Sequence, residues 1–119
     1  MVNLRNLKLE GQNFDQMPAV LKNLSNLRTL SLNNNKLVDF PEVVLHLSKL
    51  YSLKLKKTQL KNIPNDLFKH LPDLEELDIE DNDLTTLPLS LAASKKLTEK
   101  KLKYDKDKIS IPSELKMVF

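Results

Sequence analysis

The 119-residue sequence predicts an α/β solenoid, a chain coiled into stacked units that repeat one another. Three observations carry that expectation. Leucine alone makes up more than a fifth of the chain, against one Gly and no Cys. The leucines recur with a fixed period, and around them apolar and polar residues alternate as they do in a strand with one buried face. The length suits one domain with a real core. The five units run over about 4–26, 27–49, 50–73, 74–96 and a degenerate 97–119.

The second unit defines the frame: Leu27, Leu30, Leu32, Asn35, Leu37, Phe40 and Pro41. One period later it returns as Leu50, Leu53, Leu55, Thr58, Leu60, Ile63 and Pro64. The next return, one position longer, is Leu74, Leu77, Ile79, Asn82, Leu84, Leu87 and Pro88. Upstream the same frame fits Leu4, Leu7, Leu9, Gln12, Phe14, Met17 and Pro18. Downstream it decays through Leu97, Lys100 in an apolar slot, Leu102, Asp105, Ile109, Ile111 and Pro112. Burying one Leu is worth roughly 1.5–3 kcal/mol, too little for a lone unit to offset its backbone entropy. Stability must therefore come from stacked neighbours.

Within each unit the elements follow in order. Leu30-Ser31-Leu32 and Leu53-Lys54-Leu55 read as short strands. The turn after each strand wants a side chain that bonds both neighbouring backbones, which Asn35 and Asn82 can do with donor and acceptor together. Gln12, Thr58 and Asp105 occupy that slot elsewhere, and Thr58 predicts a looser turn. The segments 41–47, 64–71 and 88–93 each suit one or two helical turns with Pro in the first. Leu21 and Leu24, Val44 and Leu47, and Leu67 and Leu71 should close the core from that side, with Phe14, Phe40 and Phe68 buried.

The pattern L-x-x-L-x-L-x-x-N-x-L-x-x-L-P, recurring in register four times over nearly the whole chain, resembles the leucine-rich repeat family. The 23-residue Leu-Pro unit is most similar to two groups: the intracellular scribble and Ras-suppressor type, and the many-copy repeat proteins of bacteria, including spirochaetes. The resemblance implies a right-handed solenoid with a parallel β-sheet on the concave face and short helical or 3-10 segments on the convex face. It also implies a non-enzymatic module that binds a protein partner on the concave face. The other reading is a structural or self-associating unit with no external ligand.

Chemistry is sparse in the sequence. Zero Cys excludes thiolate metal sites and cysteine nucleophiles, and one Gly leaves no phosphate-binding loop. His46 and His70 lie at nearly the same convex position, but no carboxylate cluster shares their helical face, so they read as solvated imidazoles rather than a metal pair. The serines lack a Gly-flanked elbow. The stretch 78–89 fails as a calcium loop, with Asp83 where Gly is needed and Leu89 where Glu is needed. No catalytic residue, metal or cofactor is expected.

The candidate binding residues lie on the exposed strand positions: Lys54, Lys56, Lys57, Asp78, Glu80, Asp81, Lys101, Lys103 and Tyr104. Asn6, Lys8, Glu10 and Gly11, then Thr29, Ser31, Asn33 and Asn34, are their equivalents in the first two units; Ser52, Glu76 and Glu99 complete the set. In the repeating frame Lys54 neighbours Asp78 and Asp78 neighbours Lys101, while Lys56, Glu80 and Lys103 form a second row. Tyr51 and Tyr104 are the aromatic candidates for an interface. The net charge of +3 divides by unit into +1, +1, +3, −4 and +2. An acidic band between basic ones disfavours a nucleic-acid groove, because a phosphate backbone wants continuous positive charge.

Every apolar run is broken by charge, so no membrane insertion is expected. The N-terminus as written lacks the continuous apolar region of a signal peptide, and the compartment stays open. An uncapped first strand predicts self-association there, or a chain that is a piece of a longer one. Lys outnumbers Arg 17 to 2, a composition that points to a bacterial source.

Overall fold

The computed structural model describes residues 4–12, 19–87, 91, 97 and 101–109. Among the described residues five short parallel strands form one sheet in sequential order: β1 (Asn6–Lys8), β2 (Thr29–Ser31), β3 (Ser52–Lys54), β4 (Glu76–Asp78) and β5 (Leu102–Lys103). Each pairs with the next at the register the leucines dictate: Leu7 beside Leu30, Leu30 beside Leu53, Leu53 beside Leu77, and Leu77 beside Leu102. The return path is helical. Among the described residues it includes 3-10 turns at Ala19–Asn23 and Glu42–His46 and one α-helical turn, α1 (Leu67–His70). Pro41 and Pro64 stand just ahead of their turns rather than inside them, and most of the 88–93 segment lies outside the described residues. Pro41 is the cap residue, and the Pro64 carbonyl accepts from Leu67 N–H at 3.1 Å before α1 begins.

One core runs the length of the stack. Leu30, Leu53 and Leu77 come from the strands, and Leu27, Leu50 and Leu74 from the approach to them. The helical side contributes Leu21, Leu24, Val44, Leu47, Leu67, Phe68 and Leu71, all buried as the sequence predicts. Phe40 is only half-buried against this core. Phe14, like Lys100, Glu99 and the segment from 110 onward, lies outside the described residues.

A second, polar ladder runs beside the leucines. The Asn35 amide donates to the Leu32 carbonyl of its own coil at 2.9 Å and to Leu9 of the previous coil at 2.8 Å. Its carbonyl oxygen accepts from Gln12 N–H at 3.0 Å. Asn82 does more. It donates to Leu55, Ile79 and Glu80 carbonyls at 2.8, 3.0 and 3.2 Å. It accepts from Thr58 N–H, Leu60 N–H and the Thr58 hydroxyl at 2.9–3.0 Å. Thr58 itself is fully buried, and its one hydroxyl proton lies between two acceptors, Asn82 Oδ1 and the Leu55 carbonyl at 2.9 Å. The looser turn expected at Thr58 is therefore corrected: Asn82 of the next coil engages its N–H and hydroxyl, and the Thr58 carbonyl accepts from Leu37 N–H and Val38 N–H of the previous coil, both at 3.1 Å. The path adapts at Gln59, which takes a left-handed φ of 60°.

Val38 is the strained point of the backbone. It has φ 60°, a region costly for a β-branched residue, at the centre of a γ-turn closed by Asp39 N–H on the Leu37 carbonyl. The next coil holds it there, since Val38 N–H donates to Thr58 and Val38 C=O accepts from Lys61, both at 3.1 Å.

Three stability predictions come from these contacts. Asn82→Ala orphans buried donors and acceptors in two coils and should cost at least about 3 kcal/mol in urea unfolding. Thr58→Val should cost only about 1 kcal/mol, because Leu55 C=O keeps its bond from Asn82. Val38→Gly should leave the unfolding midpoint unchanged or raise it, whereas Val43→Gly, half-buried in a 3-10 turn, should lower stability by more than about 1 kcal/mol.

Candidate functional site

The sheet's outward face is set by the pleat: in each three-residue strand the central Leu enters the core and its neighbours face away. Reading along the register gives one row of Asn6, Thr29, Ser52 and Glu76 and a second of Lys8, Ser31, Lys54, Asp78 and Lys103. A third row, Glu10, Asn33, Lys56 and Glu80, and a fourth, Gly11, Asn34, Lys57 and Asp81, follow at the turn. The fourth row is left-handed throughout, with φ of 66°, 62°, 58° and 58°. The only Gly of the chain sits in this column, and the other three coils place Asn, Lys and Asp in a conformation that disfavours side chains. Backbone bonds to the next coil hold them, Asn34 N–H to Lys56 at 2.9 Å and Lys57 N–H to Glu80 at 3.1 Å.

The fifth coil is where the repeating frame needs correction. Leu102 takes the strand position beside Leu77, so Lys103 and not Lys101 faces Asp78. The expected row of Lys56, Glu80 and Lys103 is not formed. Lys101 shifts to the level of Glu76, and the apolar slot assigned to Lys100 is filled by Leu102. Tyr104 moves off the outward face: one position past Lys103, it packs half-buried against the core. The coil recovers its phase by a shortcut. The Asp105 carboxylate accepts from Asn82 N–H at 3.3 Å, as the slot Asn does for Gln12 and Thr58, and also from Asp81 N–H at 3.0 Å, whose equivalents in the earlier coils bond backbone carbonyls.

The two halves of the face differ in how their polar groups are used. Over β1 and β2, Thr29 bonds Asn6, Ser31 bonds Glu10, and Asn33 donates to Glu10 at 3.2 Å and accepts from Lys56 N–H at 2.7 Å. Ser31 and Ser52, expected to be exposed, are buried, with 6% of their surface accessible, because longer neighbours cover them. Over β3–β5 Lys54, Lys57, Lys101 and Lys103 are exposed, while Lys56, Glu76, Asp78 and Glu80 are half-buried. Among the described residues, Lys54, Lys101 and Lys103 make no ion pair within 4.0 Å, and the one salt bridge seen is His70 with Asp66 on α1, at 3.1 Å. Asp78 accepts from Glu80 N–H at 3.1 Å, and Glu76 from the Ser52 hydroxyl at 3.4 Å. Lys54, Glu76, Asp78, Lys101 and Lys103 line a shallow recess of about 260 Å³ floored by the strands at Leu53 and Leu77.

Apart from Tyr51, sequence reasoning missed the flank. Arg28, Lys49, Tyr51, Asp73 and Glu75 line a second recess of about 300 Å³ at the strand entrances, and Tyr51 also borders the sheet face. The signal was present in the periodic spacing of Arg28, Tyr51 and Glu75. No group of His, Asp and Glu suited to a metal occurs among the described residues, and Asp66 is the carboxylate that reaches His70. No helix among them is long and apolar enough to cross a membrane.

Sequence models described as leucine-rich repeat match residues 26–47 and 48–99. No curated protein matches the chain. Among solved structures, a leucine-rich repeat protein of Leptospira interrogans is 26% identical, with a TM-score of 0.71 over 98% of this chain and 35% of that one. The Arabidopsis receptor kinase HAESA, in complex with the peptide hormone IDA and the co-receptor SERK1, is 27% identical, with a TM-score of 0.77 over 95% of this chain and 20% of its own. A TLR13–ssRNA13 complex is 27% identical, with a TM-score of 0.78 over 96% of this chain and 16% of the receptor. The chain thus spans about a third or less of each of these three proteins.

The shortcut at Asp105 is testable. Asp105→Ala should speed hydrogen exchange at the Asp81 and Asn82 amides and cost about 1 kcal/mol, while Asp105→Asn should retain slow exchange.

Proposed function

Because this chain belongs to the leucine-rich repeat family, we propose that it is a non-enzymatic protein-binding module whose partner docks on the concave, outward face of the sheet over β3–β5. The observation that carries the reading is the unpaired state of the charges there. Lys54, Lys101 and Lys103 lie around Asp78 and Glu76 without forming an ion pair among the described residues, so a partner meets lysines not already paired within the chain. Exposed pairs contribute at most about 1 kcal/mol, and leaving them unmade costs the fold little. The sheet holds these side chains on a rigid backbone, so docking freezes few backbone degrees of freedom. Tyr51, at 39% exposure on the rim, adds an aromatic anchor of the kind that concentrates binding energy.

The complexes of HAESA with a peptide hormone and of TLR13 with ssRNA13 support a recognition role of this general kind. Between those two ligand classes, the charge order favours protein here. Asp78, Glu80 and Asp81 interrupt the basic rows, where a nucleic-acid strand would need them continuous.

A structural or self-associating unit is the second reading. It is favoured by β1, which among the described residues pairs on one side only and leaves Leu4, Leu7 and Leu9 half-buried. Photo-crosslinkers at Lys56, Lys103 and Lys69 separate the two. Adducts with another protein from Lys56 and Lys103, and none from Lys69 on α1, are expected. Adducts from Lys69 alone would overturn the concave-face reading. Adducts only between copies of this chain would establish the second.

A further inference from the structure

The charge order over β3–β5, together with the strand spacing, restricts the shape of the partner; this step rests on the reading that the outward face binds a protein. Three bands follow one another along the stack: Lys54, Lys56 and Lys57 from the third coil, Glu76, Asp78, Glu80 and Asp81 from the fourth, and Lys101 and Lys103 from the fifth. The register aligns Lys54, Asp78 and Lys103 in a single row across three adjacent strands. That row is basic, acidic, basic, and among the described residues no member forms an ion pair with another.

A complementary segment must present acidic, basic and acidic side chains on one face. Their spacing must follow the strands, which lie about 4.8 Å apart, so the row spans about 9.6 Å. On an α-helix, residues three or four apart share a face, with an axial rise of about 4.5–6 Å, and the seventh lies about 10.5 Å on. On an extended chain, residues sharing a face are about 6.7 Å apart and three of them span about 13 Å. The helix misses the row by about 1 Å and the extended chain by roughly 4 Å. We propose that the partner element is an α-helix lying along the stacking direction, with Glu or Asp, then Lys or Arg, then Glu or Asp at positions i, i+4 and i+7.

The row is self-consistent as a selectivity device. A helix shifted by one turn sets its basic residue against Lys54 or Lys103, and a helix of uniform charge meets one repulsive band wherever it lies. Like-charge juxtaposition is how such surfaces reject wrong partners. The first two coils do not extend the row, because Ser31 is engaged by Glu10 and covered. The recognition element is therefore three coils long.

The test uses the whole chain and designed peptides. One is an alanine-based helix with Glu, Lys and Glu at i, i+4 and i+7. The second is the same helix with the charges inverted, and the third a non-helical peptide with Glu, Lys and Glu at alternate positions. Fluorescence anisotropy at low salt should show the first binding at least about tenfold more tightly than either other, with the preference shrinking as salt rises. The double substitution Lys54→Glu with Lys103→Glu removes no contact seen in the fold. It should transfer the preference to a helix carrying Lys at all three positions, with an unchanged circular-dichroism melt. Equal binding of the inverted helix, or binding of none of the peptides, would overturn the charge order. Preference for the extended peptide would overturn the helix while leaving the face in place. The crosslinking experiment decides the face independently of either result.

Discussion

Each coil of this chain is stable only against its neighbours, and the parallel register between strands is the constraint from which everything else descends. A single coil offers a very short strand and a few leucines, far too little to hold itself together. Once Leu7, Leu30, Leu53, Leu77 and Leu102 are stacked, the core is continuous. The same register then places every outward side chain beside its counterpart one coil away. Core and surface are thus two readings of one alignment, and a slip in it moves both.

The polar ladder shows how that register tolerates imperfect sequence. Asn82 and Asn35 bond backbone in two coils at once, so a coil with a poorer residue in the slot borrows from the next. Thr58 is the clear instance: judged by its own side chain it predicts a loose turn, yet it is buried and fully bonded because of Asn82 in the following coil. Asp105 does the equivalent in the fifth coil, where its carboxylate takes the Asn82 N–H as a slot Asn would and also the Asp81 N–H that earlier coils give to a backbone carbonyl. Sequence reasoning treats a slot residue as a property of its own coil; the physical unit is the pair.

Much of the molecule was legible because leucine spacing and pleat periodicity are local. The strand positions of four coils, the helical return segments at Glu42–His46 and Leu67–His70 and the residues that close the core follow directly from Leu30, Leu53 and Leu77 and their flanks. Legibility failed where the spacing changed. In the last coil the stretch between Leu77 and Leu102 absorbs a longer interval, and the interval from Leu102 to Asp105 is shortened to match. A frame projected from upstream misassigns Lys101, Lys103 and Tyr104, although the basic character of the band survives. The burial of Ser31 and Ser52 was illegible for another reason. A short hydroxyl between long neighbours is covered by them, and no pattern within one strand reports what the next strand carries.

By itself the sequence determined the family, the stacking of leucines into one core and the alternation of charge from coil to coil. These depend on residue type at a repeated interval, and the period is visible without coordinates. Only the tertiary structure decided which charges face one another, that Lys103 rather than Lys101 lies beside Asp78, that Tyr104 turns inward, and that Glu10 is spent on Ser31 and Asn33 while Lys54 and Lys103 are left unpaired among the described residues. Those outcomes depend on where neighbouring strands come to rest. That position is set by the burial of Leu102 against Leu77, a contact between distant parts of the chain that no local pattern specifies.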